Sequence, residues 1–279
     1  MKTMLVLEGG GLRGIYAAGV IDVFLEHNIN VDAIVGVSAG ALFGINYVSH
    51  QRGRCLRYNL NYAHNKHYMG LYSWITTGNI MNQKFCFDTL VHELDPFDFK
   101  KFNQSKIKFY CVVTNVETGK PEYIEVKDLD KQMEYLRASG SMPIVSKMVE
   151  INGNKYLDGG ISDSVPFEWA LNQGYDRIIV VETRVKNYRK KESSMFLYHL
   201  LYRKYPNFIH TIQSRPKEYN KTKKLLLRED RKTCFVIIPS KLIKIKRVEK
   251  NKERITEMYD LGVHDAKRCL SSLQEYLHS

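Results

Sequence analysis

The sequence predicts an α/β fold: a three-layer sandwich with helices on both faces of a mostly parallel sheet. Two observations carry that expectation. Short apolar runs of four to seven residues recur along the chain, separated by stretches of helical periodicity. The first two runs, residues 4–7 and 31–37, each end in a glycine-bearing turn that leads into a helical pattern, as parallel strands do when they hand over to helices. No internal repeat or low-complexity tract interrupts the 279 residues, and 44% hydrophobic content is enough to fill a core.

The elements follow in order. After residues 4–7 comes the loop Gly9-Gly10-Gly11-Leu12-Arg13-Gly14, then a helix over 15–27 with Val20, Val23 and Phe24 at helical spacing and Asn28 as its stop. The second strand, 31–37, closes on Ser38, which opens a helix with the small residues Ala39, Gly40, Ala41 and Gly44. Residues 109–114 form a third strand, with 122–126 as its hairpin partner across the turn at 117–120. Residues 155–158 form a short strand ending in Asp158-Gly159-Gly160. A helix over 165–172, stopped by Gly174, precedes the buried strand 178–181. The strand 234–238 ends at Pro239, and 252–277 reads as one long terminal helix. Residues 53–106 are less regular and rich in aromatics (Tyr58, Tyr62, Tyr68, Trp74, Phe85 and Phe87 among them). They either line an acyl pocket over the active face or pad a helical cap.

Three short motifs carry chemistry. In Gly36-Val37-Ser38-Ala39-Gly40 a serine is flanked by glycines at −2 and +2 where a strand gives way to a helix. That pattern is a nucleophile elbow: the turn has no room for a Cβ at the flanking positions and exposes the serine at the sheet edge. The glycines of residues 9–11 leave backbone N–H groups free to converge on an anion. Asp158-Gly159-Gly160 places an acid at a strand end with no side-chain bulk behind it. A nucleophile, an anion cradle and an acid are the parts of an acyl-transfer site. Gly9-x-Gly11-x-x-Gly14 also fits a dinucleotide fingerprint, but that site needs an acid at the carboxyl end of the second strand, and Asp32 stands at the opposite end.

Together these residues resemble the patatin-like phospholipase family, whose motifs run in the same order. The segments 137–143 and 163–166 agree as well, and the resemblance is good over residues 1–183 and looser over the last fifty. It implies a serine acyl hydrolase of lipid esters, phospholipase A-like, in which Asp158 contacts Ser38 directly and serves as its base. It further implies an oxyanion hole from the amides of Gly10 and Gly11 with that of Ala39, motif roles for Gly9, Gly14, Gly36, Gly40, Gly159 and Gly160, and neither metal nor cofactor. Arg13 either holds the loop, draws in an anionic head group or pairs with an acid. Nine histidines leave a triad open by composition, with His199, His210, His264 and His278 following Asp158 in the chain order of an α/β-hydrolase.

The net charge of +12 is concentrated: residues 1–183 balance to −2, 184–232 to +11 and 233–279 to +3. The expected organisation is a catalytic core over 1–183, a basic, aromatic-rich helical segment over 184–232, and a closing strand and helix of the same domain over 233–279. Apolar residues 195–202 between Lys190, Lys191, Arg203 and Lys204 suit a helix on an anionic membrane surface. The other reading of this segment is a packed helix with a solvated basic rim. No nucleic-acid-binding module is recognisable. Five scattered cysteines and the absence of a signal-peptide pattern point to the cytoplasm, with peripheral membrane docking as the extension. The non-enzymatic alternative is an adaptor that binds membrane or partner through the basic segment.

Overall fold

The computed structural model describes all residues 1–279. Eight strands form one sheet: β1 (Thr3–Leu7), β2 (Ala33–Val37), β3 (Lys108–Asn115), β4 (Pro121–Glu125), β5 (Val149–Ile151), β6 (Asn154–Asp158), β7 (Arg177–Val181) and β8 (Phe235–Ile237). β8, β7, β1, β2 and β3 run parallel side by side, while β4 and β6 pair antiparallel with β3 and β5 with β6. The parallel strands are buried on both faces and read as unbroken apolar runs, as this arrangement requires.

Alternation along β1 sorts the two helical layers. Leu5 and Leu7 point to the core shared with α1 (Ile15–Glu26), α2 (Ala39–Val48) and α10 (Lys252–Arg268). Met4 and Val6 point to the opposite core, with Phe167 and Ala170 of α7 (Phe167–Leu171) and Tyr219 and Leu226 of α9 (Pro206–Glu229). Helices therefore cover both faces, as the sequence predicts.

One detail of the register positions the site. Cys111 of β3 pairs with Gly36 of β2 and with Ile124 of β4, whereas Val113 pairs with Glu122 of β4 and with Asp158 of β6. A strand residue has only two edges, so β2 and β6 share the edge of β3 that faces away from β4. They lie end to end, their carboxyl termini meeting where Val112 gives way to Val113.

Two points depart from the sequence reading. The terminal helix is not continuous: it breaks at Cys269 into α10 and α11 (Leu270–His278). The basic segment over 184–232 is divided between two helices. It comprises the short α8 (Phe196–Leu201) and the 24-residue α9, which starts with Pro206 in the first turn and runs on to Glu229. The α9 signal is hidden because Phe208, Ile209, Ile212, Tyr219 and Leu226 form a narrow buried stripe among basic residues, with Pro216 in the middle. Lys223 on that stripe is buried and meets the equally buried Glu182, Nζ to Oε1 2.8 Å. The remaining cap elements are α3 (Arg54–Tyr62), α4 (Leu71–Thr77), a π-helical stretch (Phe85–Leu94) and α5 (Phe99–Asn103), with α6 (Leu129–Ser139) following β4.

Candidate active site

Ser38 is the residue between β2 and α2, and its backbone is held at φ 54°, ψ −122°. A non-glycine residue tolerates such a conformation only where its surroundings enforce it. The enforcement is visible: a Cβ on Gly36 would fall 2.6 Å from Ala41 Cα, and one on Gly40 would fall 2.4 Å from Leu7 O. The Ser38 amide donates to Ser139 Oγ at 2.8 Å, and that hydroxyl donates to Val112 O at 2.7 Å, so α6 and β3 brace the turn.

Because β6 meets β2 end to end, Asp158 arrives opposite the serine. Ser38 Oγ donates to Asp158 Oδ2 at 2.8 Å, with both residues nearly enclosed (8% and 6% exposed). The other carboxylate oxygen accepts the Gly160 amide at 2.8 Å. The Asp158 backbone is fixed too, its amide on Ser141 O at 2.9 Å and its carbonyl accepting Thr114 Oγ1 at 2.8 Å. Burial raises the Asp158 pKa above the ordinary carboxylate value, opposed by the Arg215 guanidinium, the Ser38 hydroxyl and the Gly160 amide.

The glycine loop runs against this pair: a Cβ on Gly9 would lie 3.0 Å from Ser38 Cβ. The amides of Gly10, Gly11 and Ala39 have no acceptor within the protein. Unpaired amides beside a serine are available to an anionic oxygen. The loop is anchored from behind by Glu8, which accepts from the Thr183 amide, from Thr183 Oγ1 at 3.0 Å and from Tyr219 OH at 2.9 Å.

Two cavities converge on Ser38. One is mainly apolar and runs beneath the cap, lined by Leu42, Phe43, Tyr58, Tyr68, Phe87 and Leu90 among others, with Arg54 and Arg247 as its charged members. Of the aromatics in 53–106, Tyr58, Tyr68 and Phe87 thus reach the cavity, while Tyr72 and Trp74 are exposed on α4. The other, the roomier of the two, holds Gly9, Gly10, Asp158 and a set of basic side chains.

That basic set is what sequence reasoning missed. Arg184, Arg215 and Arg247 sit in a loop, a helix interior and another loop, with no motif around them. Lys190, expected to flank a membrane helix, instead turns inward, its Nζ on Ser164 Oγ at 3.1 Å and 4.0 Å from the Tyr219 ring centroid. Arg13 lines the same cavity and is in no ion pair with an acid. None of the nine histidines lines either cavity, and His199, His210, His264 and His278 are all exposed. The glycine loop faces the serine, and Asp32 is at the far end of β2 holding the Thr3 amide, which disposes of the dinucleotide geometry. No three His, Cys, Asp or Glu side chains cluster in a way that could hold a metal ion, and all five cysteines are free.

Several known proteins are similar to this chain. Uncharacterized protein YjjU of Escherichia coli (strain K12) is 28% identical over 188 residues, covering 65% of this chain and 52% of YjjU. Lysophospholipase nte1 of Aspergillus oryzae is 30% identical over 188 residues (64% of this chain, 11% of that protein), and Lysophospholipase NTE1 of Saccharomyces cerevisiae 30% over 187 (64% and 10%). The match therefore spans about half of YjjU and about a tenth of the lysophospholipases. Among solved structures, VipD from Legionella pneumophila aligns over 97% of this chain and 67% of its own, with a TM-score of 0.49 and 14% identity. Residues 205–278 match a domain of unknown function (DUF6363). Residues 5–171, which carry the glycine loop, the serine elbow and the acid, match the model of the patatin-like phospholipases. With well over half its length matched in that way, the chain belongs to the patatin-like phospholipase family, a family of lipid hydrolases.

Proposed function

We propose that the protein hydrolyses acyl esters of lipids, most simply a lysophospholipid, with Ser38 as nucleophile and Asp158 as its base. The observation that carries this reading is the 2.8 Å bond from Ser38 Oγ to Asp158 Oδ2 at the point where an apolar cavity meets unpaired amides. The acyl chain occupies the apolar cavity, which sets the ester carbonyl beside Ser38. As Oγ attacks the carbonyl carbon, its proton passes to Asp158, and the carbonyl π pair moves onto oxygen. The amides of Gly10, Gly11 and Ala39 receive that oxyanion; one such donor is typically worth about 3–4 kcal/mol of barrier. The oxyanion collapses, the bond to the alcohol oxygen breaks, and the proton on Asp158 goes to the departing alcohol. Water then attacks the acyl-serine by the same steps in reverse role, giving the fatty acid and free Ser38.

A carboxylate is a weak base in water, so a serine–aspartate pair depends on a dry site and firm oxyanion stabilisation. Near-complete burial of both residues supports the first condition. Access to a bilayer is supported by α8, which buries none of its residues and exposes Phe196, Leu197, Leu200 and Leu201, next to the exposed Lys191, Arg203 and Lys204. No helix is long and apolar enough to cross a membrane.

The test is covalent labelling by a fluorophosphonate together with fatty-acid release from a lysophospholipid panel. Wild type should label and release fatty acid, and Ser38→Ala should do neither while keeping its fold. Labelling that persists in Ser38→Ala would remove the assignment. Intact, unlabelled wild type with no release from any ester would favour the adaptor reading.

A further inference from the structure

The larger cavity beside Ser38 has a chemistry that acyl hydrolysis alone does not call for. Five cationic side chains line it: Arg13 from the glycine loop, Arg184 and Lys190 from the segment after β7, Arg215 from α9 and Arg247 from the segment after β8. Only two acids face them, and both are engaged: Asp158 with Ser38 and Gly160, Glu8 with Thr183 and Tyr219. None of the five cations forms a salt bridge, although fifteen pairs do so elsewhere in the molecule. The Nε atoms of Arg13 and Arg215 are buried with no hydrogen-bond acceptor at all. A buried guanidinium N–H without an acceptor is costly to the fold, and a bound anion would satisfy it.

The position of the cavity identifies which part of a substrate would enter it. The apolar cavity takes the acyl side of the ester, so the alcohol side must leave toward the second cavity, past Gly9 and Gly10. We propose that this cationic chamber is a recognition site for a phosphate group on the alcohol half of the ester, so that the preferred substrates are lysophospholipids with net negative head groups. The proposal rests on the hydrolase reading and specifies its substrate class.

Two features favour a net anionic head group over a zwitterionic one. Arg184 sits 4.2 Å from the Tyr188 ring centroid and Lys190 4.0 Å from that of Tyr219, so protein cations already occupy the ring surfaces that a quaternary ammonium would use there, and of the cavity's tyrosines Tyr198 alone carries no such cation. No unengaged carboxylate is present to receive an ammonium. Burial and the mutual repulsion of these basic groups also hold Arg13 down to about 10 and Lys190 down to about 6, so Lys190 is largely uncharged at neutral pH and takes up its proton only when an anion binds beside it, as expected of a site whose counter-charge is supplied by a ligand. Four of the five cations lie beyond residue 171, outside the stretch that matches the patatin-like phospholipase model. The selectivity would thus be written in a different part of the chain from the hydrolytic residues.

The experiment uses two soluble esters with the same short acyl chain, 1-hexanoylglycerol 3-phosphate and 1-hexanoylglycerol, so that no membrane surface contributes. Wild type should favour the phosphorylated ester in kcat/KM by at least about tenfold, and Arg184→Gln and Arg247→Gln should each lower that ratio by about tenfold, since a hydrogen bond to a charged group is worth about one decade or more. A ratio near one in wild type, or a ratio unmoved in both variants, overturns the proposal. Binding is read separately on Ser38→Ala, by thermal shift with glycerol 3-phosphate, inorganic phosphate and glycerol. Glycerol 3-phosphate should stabilise the protein more than inorganic phosphate, glycerol should do nothing, and the shift should vanish when Arg184→Gln is added. If inorganic phosphate binds as well as glycerol 3-phosphate and the kinetic preference is missing, the chamber holds free anions and not a lipid head group. If no ester is hydrolysed yet Arg184-dependent binding of glycerol 3-phosphate remains, the hydrolase reading fails and the phosphate site stands.

Discussion

Replacing Gly159 by alanine tests whether the meeting of β2 and β6 sets the reactive geometry. A Cβ at this position would lie 2.1 Å from Val112 O, which is backbone of the central strand. Relief to an ordinary carbon–oxygen separation requires the chain after Asp158 to retreat by about 1 Å, since packed interiors have no slack to absorb such an overlap. That movement would stretch the 2.8 Å bond between Asp158 Oδ2 and Ser38 Oγ beyond hydrogen-bonding range. A misplacement of this size costs on the order of 100-fold in turnover. The overpacking itself costs about 1–3 kcal/mol, so the protein should still fold. Gly160→Ala is the internal comparison: the three atoms nearest its Cβ would all be side-chain atoms, Asp158 Oδ1 at 3.1 Å, Arg215 Nη2 at 3.5 Å and Val37 Cγ1 at 3.6 Å. It should lose less than about tenfold, because side chains yield more readily than backbone. The assay is hydrolysis of p-nitrophenyl butyrate, with thermal melting to confirm folding. A folded Gly159→Ala within about threefold of wild type, or no worse than Gly160→Ala, would refute the argument that this close approach holds the acid on the serine.

Other consequences can be checked alongside. Because burial raises the Asp158 pKa and the base must be ionised, kcat/KM should fall as pH drops through a midpoint above the ordinary carboxylate value of 3.8, and Asp158→Asn should lose turnover by about 1000-fold or more across the range; an acid limb at or below pH 4 would contradict this. Lys223→Met strands Glu182 in the core and should cost about 3–5 kcal/mol, or about 5–10 °C in melting temperature for a chain of this length. Burial and Glu8 push Glu182 up to about 7, so the folded state holds that proton more tightly than the unfolded chain and wild-type stability should decline as pH rises from about 4.5 to about 7. Without Lys223 the decline should continue above 7, and a melting deficit that does not widen there would exclude the pair as its source. Changing Leu197 and Leu200 on α8 to serine should weaken binding to anionic vesicles and hydrolysis of vesicle-borne lipid while p-nitrophenyl butyrate turnover holds; unchanged vesicle binding would free α8 of that role.

The parallel strands were legible because each is a self-contained signal: a buried strand must be apolar throughout, as Ile178 to Val181 is, whatever it pairs with. The residues of the site were legible for a similar reason, since Gly36, Gly40 and Gly159 are dictated by backbone contacts within a few ångströms. What no local pattern encodes is which strand ends meet. Ser38 and Asp158 stand 120 positions apart, and only the shared edge of β3 brings them together. The chamber cations were illegible for the opposite reason. A lysine or arginine in a basic stretch reads as solvated, and the inward turn of Lys190 or Arg215 depends on the path of α9 across the sheet, which its narrow apolar stripe barely announces. The break at Cys269 left no mark either, since no glycine or proline accompanies it.

The end-to-end meeting of β2 and β6 also bears on why a serine and an acid can suffice. Neighbouring strands are about 4.8 Å apart, so an acid at the end of an adjacent strand, or the next but one, leaves a gap that a ring such as imidazole can bridge. When two strands occupy the same edge of a third and terminate against each other, their last residues face across one hydrogen bond and no gap remains to be bridged. The acid then has to act as the base itself, and its protonation must be balanced between two pressures. Burial favours the neutral form and makes it a stronger base; the Arg215 guanidinium favours the anion and keeps it ready to accept a proton. Arg215 belongs at once to the surroundings of Asp158 and to the cationic chamber. An anionic head group bound in that chamber would draw on the same guanidinium, weaken its hold on the carboxylate and raise the basicity of Asp158 when substrate is in place. Head-group recognition and proton transfer would then be coupled through one side chain, and the acid limb of kcat for the phosphorylated ester should lie at higher pH than that for its phosphate-free counterpart. Coincident limbs for the two esters would show that Arg215 serves the two tasks independently.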